Sequence, residues 1–267
     1  MILFFTAASL IGLILLNVPI AVSVWIVAVV GFLLTTGPMQ LYDVAIALYT
    51  GATSFPLIAI PLFILAGSLM NTSGISVRLI NFVSALIGFV RGGLGMVNIG
   101  VSMVFAAISG SAVADVAATG TVMIPEMKKL GYTRTMAAAI TSSSASLAII
   151  IPPSIPMILY GAIAETSVLK LFVAGIIPGV LGGFLLMLVT YFLAVRYDLP
   201  REESFNLCRL AQAFREAAWA LTMPVIILGG IFSGIVTATE GAALAVVAAL
   251  FVGGVIYRDL NMTRLHR

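Results

Sequence analysis

Long stretches without one charged side chain constrain this sequence more than anything else in it. Residues 1–42 hold no Asp, Glu, Lys or Arg, and 44–77, 135–164, 171–195, 217–239 and 241–257 are equally bare. A helix needs about 20 apolar residues to cross a bilayer, so each stretch can supply most or all of one. Only 9% of the residues are charged, where soluble domains carry roughly a quarter. The fold class expected is an all-α polytopic membrane protein. The first 36 residues lack a basic leading segment and run through two apolar stretches, so they are read as lasting structure rather than a signal peptide.

Turn residues divide the stretches. Helices are expected over about 1–16 and from Pro19 to near TTGP (35–38), followed by a loop containing Asp43 and a third helix over 56–70 that NTSG (71–74) closes. Residues 75–90 lie between Arg78 and Arg91 and are short and polar at their start, so they are read as a surface arm helix, with a fourth full span as the alternative. Residues 1–92 thus form a scaffold. A transport-type unit follows over 93–195: a re-entrant hairpin (93–126), a broken helix (135–164) and a helix over 171–195. Residues 196–218 are charged and amphipathic and read as a connector on the membrane surface. The segment 219–267 then carries a helix near 220–236 and another near 241–257.

Charge fixes the orientation. With the N-terminus outside and 93–126 entering and leaving from the inner face, every Lys and Arg except Lys170 falls inside, as the positive-inside rule demands. The formal net charge of +3 is thereby assigned to orientation among membrane lipids, and no nucleic acid is expected as a partner. One cysteine, Cys208, and one histidine, His266, leave no material for a disulfide, a zinc site or histidine acid–base chemistry.

Two interruptions sit where lipid would surround the chain. Non-helical backbone at membrane depth survives only against protein or a water-filled cavity, because an unpaired N–H or C=O there costs several kcal/mol. In ISGSAVAD (108–115), Gly110 and its flanking serines suit a hairpin tip: one half-helix ends near Ile108, a second starts near Ser111, and Asp115 lies in or near its positive first turn. In IIPPSIPMI (150–158), Pro152 and Pro153 remove two donors, so the carbonyls of Ala148 and Ile149 lose helical partners. Facing half-helices with free carbonyls, hydroxyls and one carboxylate are what secondary transporters use for a coupling ion and an anionic substrate, and such hard oxygens suit Na⁺. Asp115 tips the reading from kink and packing toward a site, since an ionisable residue at membrane depth is functional by default. Ser144 and Ser146, in TSSSAS (141–146), either line the same cavity or bond back to their own helix. An enzyme is not expected, because no second carboxylate, nucleophile–base pair or phosphate motif accompanies Asp115.

LNVPIAVSVWIVAVVGFLL (16–34) and VTATEGAALAVVAALFVGG (236–254) are each a polar turn followed by a helix rich in small residues, entering from opposite faces in this topology. They read as a weak inverted repeat whose second copy is incomplete.

PLFILAGSLM (61–70), ISGSAVADVAATG (108–120), IIPPSIPMILYG (150–161), AGIIPG (174–179) and GIVTATEGAALAV (234–246), in this order, resemble the large membrane subunit of tripartite ATP-independent periplasmic (TRAP) transporters. The resemblance implies an ion-transporter superfamily fold with an elevator-like motion, importing acidic solutes of the dicarboxylate or sialic-acid type with Na⁺ as coupling ion. It further implies a bacterial inner-membrane location, a periplasmic solute-binding protein and a small membrane subunit as partners. Carried onto this sequence, it places a first Na⁺ site at Ser109, Gly110 and Ser111 with Pro152, Pro153 and Ser154, and gives Asp115 a role in orienting the tip. Large subunits of this family usually carry a second hairpin and a second cation site, so the competing expectation is a non-transporting fragment or a scaffold partner of another permease subunit.

Overall fold

A computed structural model describes residues 2–35, 41–201 and 205–259. Among these, twelve α-helices and no strand are found, as the fold class requires. The contacts part the chain at Ser54 and Phe55 into two compact units, rather than at residue 92.

The first unit holds α1 (Ile2–Leu15), α2 (Ile20–Thr35) and α3 (Leu41–Ala52). Asn17, at φ 62°, turns the chain between α1 and α2, and the buried Ser23 returns its hydroxyl to Pro19 O at 3.2 Å. Phe4, Phe5, Leu15 and Leu34 point outward, the pattern of helices whose solvent is lipid. Asp43, expected in a loop, opens α3 instead, where its negative charge meets the helix N-terminus.

The second unit begins with a 3₁₀ turn (Phe55–Ile58) running into α4 (Ala59–Thr72). Then come α5 (Ile75–Ile87), α6 (Gly93–Ser109), α7 (Ala112–Lys129), α8 (Arg134–Ala145), α9 (Ile155–Ile163), α10 (Val168–Arg196), α11 (Leu207–Phe232) and α12 (Ala238–Leu250), which unwinds into a π turn over Phe251–Ile256. Phe55–Thr72, α10, α11 and Ala238–Ile256 are long and apolar enough to cross a membrane. At about 1.5 Å per residue, α5 is too short for a bilayer core of about 30 Å. It lies instead against the start of α11, with Phe82 and Phe214 rings 5.9 Å apart and Phe89 and Phe205 rings 5.3 Å apart.

Both feet of the α6–α7 hairpin stand at one end of the unit. Gly95 N, near the start of α6, donates to the Tyr132 hydroxyl at 3.2 Å, three residues beyond the end of α7. The turn after α10 joins them: Gly92 N donates to Pro200 O at 3.4 Å, and Arg91 pairs with Asp198 at 3.2 Å. Arg78 pairs with Asp259 at 2.7 Å. At other positions Thr239 reaches Phe55 O at 3.2 Å, joining the α11–α12 turn to the start of α4. The Gly95, Gly92 and Arg91 links tie the start of α6 to the segment after α7 and to the turn after α10.

One boundary differs. No break separates a connector ending at 218 from a helix starting near 220; α11 is continuous for 26 residues, capped by Asn206, whose side chain accepts from Cys208 N at 2.9 Å. Nothing between Ala217 and Leu221 breaks a helix. The change of character is nonetheless marked. Tyr257 Oη donates to Glu216 O at 2.8 Å and accepts from Ala220 N at 3.3 Å, so it bridges two groups that an α-helix would pair directly. A side chain inserted in the ladder this way is a recognised cause of bending. Burial pushes the phenol above its ordinary pKa, against the pull of Ala220 N–H and Arg78, which keeps it a donor.

Candidate functional site

Gly110 closes α6 in the left-handed region at φ 60°, its N–H bonded to Ala106 O at 3.2 Å. Only glycine takes that conformation without cost, and here it has a second task. A Cβ on Gly110 would collide with the Pro153 carbonyl oxygen. Gly110 O in turn accepts from Ile155 N at 3.1 Å. The hairpin tip and the proline break thus touch, backbone to backbone.

Each side is shaped by its own residues. Ser111, extended at φ −125°, caps α7 by accepting from Ala114 N at 3.3 Å, and Ser109 is buried with its hydroxyl on Phe105 O at 3.2 Å. Ser109 is held from behind by α4, where a Cβ on Gly67 would approach its Cβ to 3.0 Å. Across the tip, α8 tightens into a 3₁₀ turn (Ser146–Ile149), unwinds through Pro152 and Pro153, and restarts at α9 with Ser154 at the N-cap. Ser154 does not cap α9; its hydroxyl turns back to Ile149 O at 2.6 Å. One of the carbonyls expected to be free is therefore engaged, keeping its other lone pair. Gly175 and Gly179 let α10 close on the same break, since a Cβ at either would strike Ile150 O or the Ile151 side chain. Gly110, Pro153 and Ile155 are in contact, with Ser109, Ser111, Pro152 and Ser154 beside them in the chain, and hydroxyl and carbonyl oxygens are the donor type that suits a small hard cation.

Asp115 and Ser144 belong to a second group, beneath the tip. Asn98 and Ser102 on α6, Asp115 and Thr119 on α7, and Thr141 and Ser144 on α8 are all buried. Asn98 Nδ2 donates to Thr141 Oγ1 at 2.6 Å, and Ser102 Oγ lies 3.1 Å from Ser144 Oγ. Thr119 bonds back to Asp115 O at 2.8 Å. Ser146 stays outside this group, exposed and bonded to Ser143 O at 2.6 Å. Asn98, Ser102 and Thr119 escaped the reading of the sequence, while Thr141 lay in the TSSSAS stretch already singled out; their signal is polar residues four apart on α6 and three apart on α8, in otherwise apolar segments. Glu240, expected near a boundary, forms a capping box with Thr237, accepting from its N–H at 2.7 Å. Among the described residues no cluster of His, Cys, Asp or Glu gathers that would hold a transition metal.

Residues 7–267 match the family model described as the tripartite ATP-independent periplasmic transporter, DctM component. The C4-dicarboxylate TRAP transporter large permease protein DctM of Vibrio cholerae is 40% identical over 252 residues, covering 94% of this chain and 55% of that protein. The 2,3-diketo-L-gulonate TRAP transporter large permease protein YiaN of Escherichia coli is 41% identical over 259 residues, covering 96% and 60%. The sialic acid TRAP transporter permease protein SiaT of Haemophilus influenzae is 39% identical over 212 residues, covering 79% and 34%. The chain thus spans a little over half the length of the first two.

Proposed function

The chain belongs to the DctM component family of tripartite ATP-independent periplasmic transporters, whose members compared above are transporter permeases and not enzymes, and from that premise we propose that it builds the first half of a Na⁺-coupled permease for acidic solutes. Ser109, Gly110, Ser111, Pro152, Pro153 and Ser154 would hold the coupling ion, and the cavity they border would take a carboxylate-bearing solute of the dicarboxylate or sialic-acid class. A periplasmic binding protein delivers the solute, a small membrane subunit stands beside the scaffold, and the assembly sits in the bacterial inner membrane with this N-terminus on the periplasmic side. The hairpin and broken helix move together as an elevator.

The observation that carries this reading is the tip contact, with Gly110 O accepting from Ile155 N at 3.1 Å and the Gly110 Cα against the Pro153 carbonyl. Two interrupted helices that meet end to end bring their backbone dipoles close together. A cation at that point neutralises part of the charge of an anionic solute beside it, which is how ion and solute binding become coupled. The helix N-termini at Ala112 and Ile155 offer the complementary positive ends for the solute carboxylate.

The test is uptake of labelled dicarboxylates and sugar acids into proteoliposomes holding the chain with all partner subunits. Uptake should fall to background when choline replaces Na⁺. Equal uptake in both media overturns the coupling.

A further inference from the structure

The buried group beneath the tip has an excess of acceptors that can be counted. Ser144 donates to Thr141 O at 3.0 Å, and a carbonyl cannot return a proton, so the Ser144 hydrogen is spent. The contact between Ser102 and Ser144 must then use the Ser102 hydrogen. Thr141 donates to Ala137 O and Thr119 to Asp115 O, so their hydrogens are spent as well. The Asn98 amide gives its hydrogens to Thr141 Oγ1 and Met127 Sδ. None of these aligned hydrogen bonds ends on the Asp115 carboxylate.

What remains is oxygen. Neither carboxylate oxygen of Asp115, which is 0% exposed, has an aligned donor, and Asn98 Oδ1 has none either. Ser102, whose aligned partner is Ser144 Oγ, is also the one side-chain hydroxyl set against the carboxylate. The ion pairs among the described residues are Arg78–Asp259, Arg91–Asp198 and Lys129–Glu126, and none reaches Asp115. A carboxylate charge taken out of water without a charged partner costs several kcal/mol. The arrangement lacks one positive species among the oxygens.

We propose that Asp115, Ser102 and Ser144, supported by Asn98 and Thr141, form an internal binding site for a monovalent alkali cation, distinct from the tip. One such ion balances the carboxylate charge, and hydroxyl oxygens whose hydrogens are already committed are free to face it. The site lies between α6, α7 and α8, so an occupied site ties the hairpin to the first part of the broken helix. This goes beyond the coupling ion at the tip and stands or falls separately from it.

Binding of radioactive sodium to the purified full chain in lipid nanodiscs decides it. Asp115→Asn should bind one Na⁺ fewer per chain than wild type, and Ser102→Ala with Ser144→Ala should weaken that ion about tenfold, the scale of one or two lost ligand contacts. In choline chloride Asp115→Asn should melt no lower than wild type, because it removes a buried unpaired charge, whereas Na⁺ should raise the melting temperature of wild type by a few degrees more than that of the variant. An unchanged Na⁺ count in Asp115→Asn, the result expected if water or a proton fills the site, overturns the proposal. Should that variant fail to fold, an unchanged affinity in the double serine variant overturns it equally. An unchanged count in Ser109→Ala with Ser111→Ala would instead remove the tip reading and leave this one standing.

Discussion

The hairpin tip and the buried group beneath it solve the same problem, polar atoms at membrane depth, in opposite ways. The tip works with backbone: Gly110 O takes the Ile155 N–H, Ser154 takes up Ile149 O, and Ser111 caps the next helix. Its donors and acceptors are matched within the chain. The lower group works with side chains from three helices and ends with Asp115 and Asn98 oxygens that have no aligned donor among the described residues. The matched contacts fix the shape of the tip and leave only spare oxygen lone pairs for an ion, while a buried unmatched carboxylate demands a partner outright.

Substitutions should separate the two. Gly110→Val has the largest expected effect: a branched side chain would enter both a left-handed conformation and the Pro153 carbonyl, for a loss of about 3 kcal/mol or more, read as failure of the purified chain to give a cooperative thermal transition. Asn98→Leu removes an unsatisfied oxygen together with the amide that serves Thr141, and should cost about 1–3 kcal/mol in denaturant unfolding. If instead it stabilises the protein, the lower group is no more than a packing flaw and the contrast collapses. Ser111→Ala deletes one cap and should cost about 1 kcal/mol, leaving the tip contact in place. Gly12→Ala, with open space around its Cα in α1, should gain about 0.5–1 kcal/mol, which sets the scale for a glycine with no neighbour to serve.

Legibility in the sequence followed the same division. Backbone breaks announce themselves through the few residues that make them, so SGS at 109–111 and PP at 152–153 located both interruptions. The lower group left no such mark. Ser102, Thr119 and Thr141 are indistinguishable in sequence from the small residues that let membrane helices pack, and only the partners across α6, α7 and α8 give them meaning. Asp115 stood out because of its charge, while Asn98, equally buried, did not. The Asp43 loop and the boundary at 218 failed for a simpler reason: a lone charge was taken as a loop signal, and an amphipathic stretch was ended where its polarity faded although no helix breaker stood there.

The hydroxyl of Tyr257 that bridges Glu216 and Ala220 gives α11 an articulated waist held by a residue from the far end of the chain. With Arg78 stacked 3.9 Å above the same ring and paired to Asp259, the arm helix, the waist and the segment after α12 share one pin. Tilting the arm relative to the membrane segment then requires drawing that pin, so a single aromatic side chain sets how stiffly the frame resists whatever moves within it.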